Sequence, residues 1–592
     1  MTMLNSLPAS ICIFRGHGLQ TSNRSAAAAH HQPSSFRVMC SQTTTTSRRS
    51  GNYKPPTWDY TYLQSFNTNH YTTERYVTRR DELKKKVHNM LNNEEMEDLE
   101  KMEAIDELQR MGCACHFEDE IWEALKVRNS CSREGKANLY STALKFRLLR
   151  QNGFCPSQDV FDGFLDERRV NFKTEICEDT KGLLSLYEAS FLSMEGETTL
   201  DLARDFSTKH LKRAAAGSTT ANPNLLAAVE RALEMPLHWR VPRLEASSNI
   251  HLYQAKPNHN PVLLELAKLD FNLVQTLHQH ELKSVSRWWE NSYIGEKMKF
   301  ARDRVVENFF WAVGILSNPR DSNARRMQAK LICLFYTVDD MYDIYGTLDE
   351  LQVFTDAVER WSDITEIGHL PDYMKPFYSA LHNHVNEVAY DAGKKQGILV
   401  SRYIRKAWVD LCKSHLQEAK WFHSGYTPSY EEYIENACLS TAVPLEIVHL
   451  FIWANNPLNE EALRCLSQHH HDIVRFTSLI LRLTNDKATS LNEMKRGDTP
   501  KAVECYMNSA KVSISDAQDN INSQINEAWK KMNKIGFEDN PAFSKIFIEF
   551  STNVAKVAQY IYQHGDEHGV KSIFFEPIPL DYASFSNKII LG

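Results

Sequence analysis

The first 58 residues contain no aspartate and no glutamate. Arg15, Arg24, Arg37, Arg48 and Arg49 stand there among Ser, Thr, Ala and His, as in "TSNRSAAAAHHQPSSFRVMCSQTTTTSRRS". An acid-poor, Arg- and Ser-rich leader has the composition of an organellar transit peptide; its apolar stretch is too short and broken for a secretory signal. A disordered tail is the other reading. The abundance of Ser and Thr puts plastid ahead of mitochondrion, so residues 1–47 are expected to be a plastid transit peptide leading to the stroma. Other absences narrow the function. No uninterrupted apolar run reaches spanning length, which excludes a membrane span. The net charge of -7 comes with no basic block interleaved with aromatics, so no nucleic-acid groove is expected. The twelve cysteines are scattered. Cys113 and Cys115 in "RMGCACHF" have no second pair to complete a zinc site, and buried free thiols are expected instead. Strand alternation, fixed-period repeats, a Gly-rich phosphate loop and a Ser-His-Asp arrangement are all missing.

What is present is helix after helix. "ERYVTRRDELKKKVHNMLNN", "MEDLEKMEAIDELQRMG" and "LLELAKLDFNLVQTLHQHELKSVSRWWEN" place apolar residues three and four apart with charges between them. At 592 residues one hydrophobic core is exceeded, and two folded domains are expected. The polar stretch "EASSNIHLYQAKPNHN" marks the boundary, giving an N-terminal helical domain over 48–265 without its own site and a catalytic domain over 266–592.

The unusual chemistry lies in the second half. "FYTVDDMYDIYGTLDEL" packs Asp339, Asp340 and Asp343 between apolar and aromatic segments. Residues four apart share a helix face, so Asp339 and Asp343 project together with Asp340 at their edge. Such a row brackets a hard cation, which binds one or two carboxylates together with phosphate oxygens. A solvated acidic face is the alternative. In "NDKATSLNE", Asn485, Thr489 and Glu493 fall at i, i+4 and i+8, a second oxygen row able to hold Mg²⁺ or to be an ordinary polar face. Arg302 and Arg304 in "FARDR", and Arg482 three residues before Asn485, can converge on an anion or form surface ion pairs.

Together these pieces resemble the class I plant terpene synthases, and more narrowly the cyclic monoterpene branch. Asp339-Asp340-Met341-Tyr342-Asp343 is that family's D-D-x-x-D motif. "NDKATSLNE" is its second metal motif and Arg302-Asp303-Arg304 its R-x-R. "RRSGNYKPPTW" places Arg48, Arg49 and Trp58 at its R-R-x8-W spacing. "LYEASFL" and "FFEPIPL" extend the likeness over the chain from Arg48 onward. The resemblance implies an all-α, two-domain architecture: an N-terminal α-barrel and a C-terminal α-bundle with the active-site cavity. It implies a prenyl diphosphate substrate and a monomer. It also implies three Mg²⁺, with Mn²⁺ as a substitute, held by Asp339, Asp340, Asp343, Asn485, Thr489 and Glu493. The diphosphate would meet Arg302, Arg304, Arg482, Asp339, Asp343 and Asn485. Arg48 and Arg49, with Trp58, would fold over the mouth and assist isomerisation of geranyl to linalyl diphosphate. Trp311, Tyr336 and Tyr562 would face cationic centres, and His568 would act in late cation control or deprotonation. The class II motif D-x-D-D is absent, which assigns initiation to the metal site. The expected activity is Mg²⁺-dependent cyclisation of geranyl diphosphate. An acyclic monoterpene alcohol synthase, a farnesyl-diphosphate sesquiterpene synthase and a non-catalytic helical scaffold are the alternatives. Three features depart from the family. Lys487 sits where an apolar residue is usual, Ala442 and Val443 replace a Gly-bearing helix break, and the segment before Phe574 is short.

Overall fold

A computed structural model describes residues 48–563 and 565, apart from 67–73, 131–137, 218–222, 455, 456, 470 and 539. The expected transit peptide, His568 and the segment before Phe574 lie outside the described residues. From Arg48 onward the chain forms one compact unit. Among the described residues there is no strand, only an isolated antiparallel bridge between Leu165 and Phe172.

The buried side chains form three cores. Two lie within the first half, one gathering Leu83, Ile105, Leu148 and Phe271, the other Leu139, Phe161, Leu186 and Val229. The third runs from Leu282 to Tyr562 and also takes in Leu63 and Val241. One helix, Pro261–Ser292, links the first and third of these. It starts cleanly because Asn260 accepts hydrogen bonds from the Val262 and Leu263 amides and Pro261 occupies its first turn. Its first turns bury Leu263, Leu266 and Phe271 in one core, and its last turns bury Val285 and Trp289 in another. The boundary expected at 265 and 266 therefore falls inside a continuous helix.

The large core positions the acidic motif. Helix Ser322–Asp340 buries Leu331, Ile332, Cys333 and Leu334. It is tied to the 261–292 helix by the Arg325–Glu281 pair, whose two nitrogen-oxygen contacts are 2.8 and 2.9 Å. Both side chains are excluded from water, and the same guanidinium donates to the Leu316 and Asn318 carbonyls. A fork satisfied on this many sides fixes orientation as well as charge.

Helices Tyr430–Ser440 and Val443–Ala454 together make a segment long and apolar enough to cross a membrane, yet 78% of its 18-residue apolar window is buried inside the protein. The break between them falls at Ala442, whose φ of +63° is left-handed. Glycine is the usual occupant of that conformation, and an L-residue there costs about 1–2 kcal/mol. The buried neighbours of Ala442 hold the break in place without glycine.

Candidate active site

The 322–340 helix does not run on as a regular α-helix through the acidic motif. It ends at Asp340, and Met341–Tyr345 form a π-helical turn closed by the Gly346 amide donating to the Met341 carbonyl at 2.8 Å. A side chain at Gly346 would meet Leu351 at 2.5 Å and the Met341 carbonyl at 3.0 Å, so only glycine fits this exit. The wider turn separates the three aspartates by function. Asp339 accepts from Arg302 Nη2 at 2.6 Å through one oxygen, and its other oxygen lies 3.9 Å from His415 Nδ1. Asp340 turns the other way: fully buried, it accepts from the Arg302 amide at 2.7 Å and from Arg302 Nε at 3.0 Å. The sequence placed Asp340 among the metal ligands; the fold makes it the anchor of Arg302. Asp339, Asp343 and His415 each offer a ligand atom, all within 4.8 Å of one another, and Asp340 is outside that group.

The second wall is helix Asp472–Arg496, packed on helix Lys545–Tyr562. Arg482 is buried and donates to Asn485 Oδ1 at 3.4 Å, to Asp486 at 3.2 Å and to the Ser440 hydroxyl at 3.2 Å. Thr489 donates to the Asn485 carbonyl at 3.1 Å. Asp486 is structural: it accepts from the Tyr433 hydroxyl at 2.6 Å and from the Ala502 amide at 3.0 Å. Lys487 is exposed and reaches Asn522 at 2.8 Å, so the departure noted in the motif points away from the site.

Between the two walls lies a group that the sequence reading did not single out. Helix Ser401–Ser424 supplies His415 and Glu418, one turn apart, and the loop after Gly497 supplies Lys501. Lys501 donates to Glu418 at 2.6 Å; both side chains are buried. Against the cost of burial, Glu418, Asp343 and Glu493 hold the Lys501 ammonium well above its ordinary value. Glu418, though burial opposes its charge, is kept down at about 2 chiefly by Lys501 and Arg482. Burial pushes the Asp343 carboxyl up to about 7; Lys501 pulls it down while Asp339, Glu418 and Asp498 add to the rise. Carboxylates crowded until one resists ionisation are the local demand that a divalent cation meets. The donor set of carboxylate, amide and hydroxyl oxygens fits Mg²⁺. Only the spacing of H-x-x-E in "SHLQEAK" hinted at this third wall.

The N-terminal segment closes over the acidic turn. Arg48 forms a bidentate pair with Glu350 at 2.8 Å twice, donates to the Tyr345 carbonyl at 3.0 Å, and lies 4.4 Å over the Tyr345 ring. Arg49 donates to the Asp343 carbonyl at 3.0 Å and to Asp498 at 2.5 Å, with its charge 4.2 Å over Phe422. It thus joins the acidic turn to the end of the second wall. Tyr53 lies beside the Arg302 guanidinium, 5.1 Å away, and Trp58 is half-buried against the large core and stacks on Tyr62. Arg304 does not converge with Arg302: it donates to the Lys54 carbonyl at 2.9 Å and to the Asp303 carbonyl at 3.0 Å, binding the incoming segment instead of facing Asp339. Deeper in, Trp311 meets Tyr562 edge to face at 6.2 Å, and Tyr562 hydrogen-bonds Tyr336. All three rings are buried.

Two domain models of one protein family match the chain in succession. Residues 57–233 match the terpene synthase N-terminal domain, and residues 290–531 the metal-binding domain of the terpene synthase family. The chain belongs to the terpene synthase family. It is an enzyme of the class I, two-domain, all-α kind. The chain is 50% identical over 530 residues to a chloroplastic limonene synthase from Coffea arabica, covering 89% of this chain and 86% of that one. It is similar in structure to a limonene synthase with 2-fluorolinalyl diphosphate, with a TM-score of 0.85 and 42% identity over 88% of this chain and 96% of that one. It is also similar to an isoprene synthase from grey poplar in complex with three Mg²⁺ ions and dimethylallyl-S-thiolodiphosphate, with a TM-score of 0.80 and 42% identity over 87% of this chain and 96% of that one. For this terpene synthase the D-D-x-x-D turn and the "NDKATSLNE" helix both lie within the span matched to the metal-binding domain.

Proposed function

We propose that the protein is a plastid-stromal, monomeric monoterpene synthase. It ionises geranyl diphosphate and closes the ring through linalyl diphosphate and an α-terpinyl-type cation to an olefin or alcohol, releasing diphosphate. The observation that carries this reading is the donor group at the acidic turn: Asp339, Asp343 and His415 each offer a ligand atom, all within 4.8 Å of one another. Arg49 ties that turn, through the Asp343 carbonyl, to Asp498 just beyond the oxygen-bearing helix.

Asp339 and Asp343 on one wall, and Asn485, Thr489 and Glu493 on the other, are the residues that would hold Mg²⁺. When bound, Mg²⁺ neutralises the leaving diphosphate and so favours breaking the allylic C–O bond. The side chains do the rest. Arg302 and Arg482 supply fixed guanidinium donors at the two ends of the cleft; their partners Asp340 and Asp486 keep them oriented before substrate arrives. Lys501 adds positive charge from between the walls. Trp311, Tyr336 and Tyr562 present π faces, each worth about 0.5–2 kcal/mol to a passing cationic centre. The Arg48–Glu350 and Arg49–Asp498 pairs hold the N-terminal segment over the acidic turn, which keeps water from the allyl cation.

The test is gas chromatography of volatiles formed from geranyl and from farnesyl diphosphate with Mg²⁺. Cyclic ten-carbon products from the first and little turnover of the second are expected. Turnover of farnesyl diphosphate alone would overturn the monoterpene reading, and no diphosphate release from folded protein would overturn the enzymatic one. Removing residues 1–47 should leave the product profile unchanged. Removing residues 1–49 should cut cyclic products about 10-fold or more while acyclic ones persist, because two ion pairs and three cation–π contacts are then lost. An unchanged cyclic yield would remove that role from the arginine pair.

A further inference from the structure

The Asp339–Asp343 turn faces a nitrogen donor from another helix. His415 in "KSHLQEAK" is 3% exposed, and its Nδ1 makes no hydrogen bond although it is buried. That nitrogen lies 3.9 Å from Asp339 Oδ1. The Tyr342 ring, 5.7 Å away and tilted by 32°, packs on the imidazole from the acidic turn itself. A buried ring nitrogen without a partner costs about 1–3 kcal/mol. Here it stands beside two carboxylates that also have spare oxygens, and all three donors lie within 4.8 Å of one another. Octahedral bonds of about 2.1 Å put donors roughly 3 Å apart when adjacent and about 4.2 Å apart when opposite. The Asp339–His415 separation of 3.9 Å falls inside that span, and the 4.8 Å bound on all three donors lies within a side-chain rotation of it.

We propose that His415 is a nitrogen ligand to a divalent ion held by Asp339 and Asp343. The inference rests on the metal reading of the acidic turn given above and adds a donor from the third wall. Ligation through Nδ1 needs a neutral ring with its proton on Nε2, the tautomer that leaves Nδ1 free to bind a metal. The consequence is selectivity. An all-oxygen set suits Mg²⁺, whereas an imidazole raises affinity for ions that accept nitrogen more readily, Mn²⁺ before Mg²⁺. His415 also fixes the Asp339 side chain between two partners, Arg302 on one oxygen and the shared ion on the other.

The experiment uses the full chain with Mn²⁺ and inorganic diphosphate, read by pulsed electron paramagnetic resonance. Wild type should show ¹⁴N modulation from a directly bound nitrogen, and labelling all histidines with ¹⁵N should convert it to the ¹⁵N pattern. His415→Phe, and independently His415→Gln, should lose the modulation, weaken Mn²⁺ binding about 10-fold and weaken Mg²⁺ binding less. The labelling arm needs no variant, so a poorly folding substitution does not blunt the test. Mn²⁺ bound in an Asp339-dependent way with no histidine modulation would overturn the proposal and leave the metal site standing. Modulation unchanged in both variants would also overturn it. Absence of any Mn²⁺ binding would overturn the metal reading as well, a distinguishable result.

Discussion

Asp339→Ala should reduce Mg²⁺-dependent diphosphate release from geranyl diphosphate by on the order of 10³-fold or more, with helicity unchanged. The large effect follows from what Asp339 touches. One oxygen orients Arg302 and the other faces His415 and the position a cation would take. Its loss therefore removes a ligand and one of the two carboxylates on Arg302 Nη2, while Asp340 still anchors that guanidinium. Glu493→Ala, on the opposite wall, should fall in the same range, since either wall alone leaves the diphosphate charge half compensated. Asp340→Ala should differ in kind. With Asp340 gone, Arg302 loses its amide and Nε partner and the acidic turn loses its anchor, so stability should drop along with rate. Release is measured by a coupled diphosphate assay, and folding by far-ultraviolet circular dichroism. Wild-type rates in Asp339→Ala would refute the metal role of the turn.

The second large effect is on stability. Glu418→Ala should destabilise the protein by about 3–5 kcal/mol, because it removes the carboxylate that directly pairs with the buried Lys501 ammonium. It also strips the Ser440 hydroxyl, which donates to Glu418 while receiving from Arg482. The double change Glu418→Met with Lys501→Met should recover most of the loss, since a buried ion pair replaced by apolar side chains of similar size is often neutral or better. Thermal denaturation of the single and double variants checks this. Equal destabilisation of single and double variants would show that the pair acts through shape and not charge. Because Lys501 pulls Asp343 toward its ionised form, the double variant should remain impaired in turnover even where it is stable.

The helical architecture could be read from apolar spacing because each segment carries its own 3.6-residue period, and caps such as Asn260-Pro261 mark the starts locally. The acidic turn and the "NDKATSLNE" row were legible for the same reason: their oxygens sit close in sequence. What was hidden depends on tertiary neighbours. The direction of Asp340 is set by Arg302, 38 residues away. The π-turn after Asp340 depends on the tight exit at Gly346 against Leu351. Arg304, an apparent twin of Arg302, is claimed by the Lys54 carbonyl 250 residues earlier. His415 and Glu418 share one helix face at H-x-x-E spacing, and Lys501 follows in a distant loop; neither segment shows by itself that the three meet between two other walls. Lys487 raised a doubt by its place in the motif, and its exposed position beside Asn522 removes it.

Crystals of the protein grown with Mn²⁺ and inorganic diphosphate, examined by anomalous scattering at the manganese edge, test the shared cleft most directly. Manganese peaks beside both Asp339–Asp343 and Asn485–Thr489–Glu493, bridged by a single diphosphate, are the expected result. Manganese on one wall only, or a diphosphate bound away from Arg302 and Arg482, would contradict it.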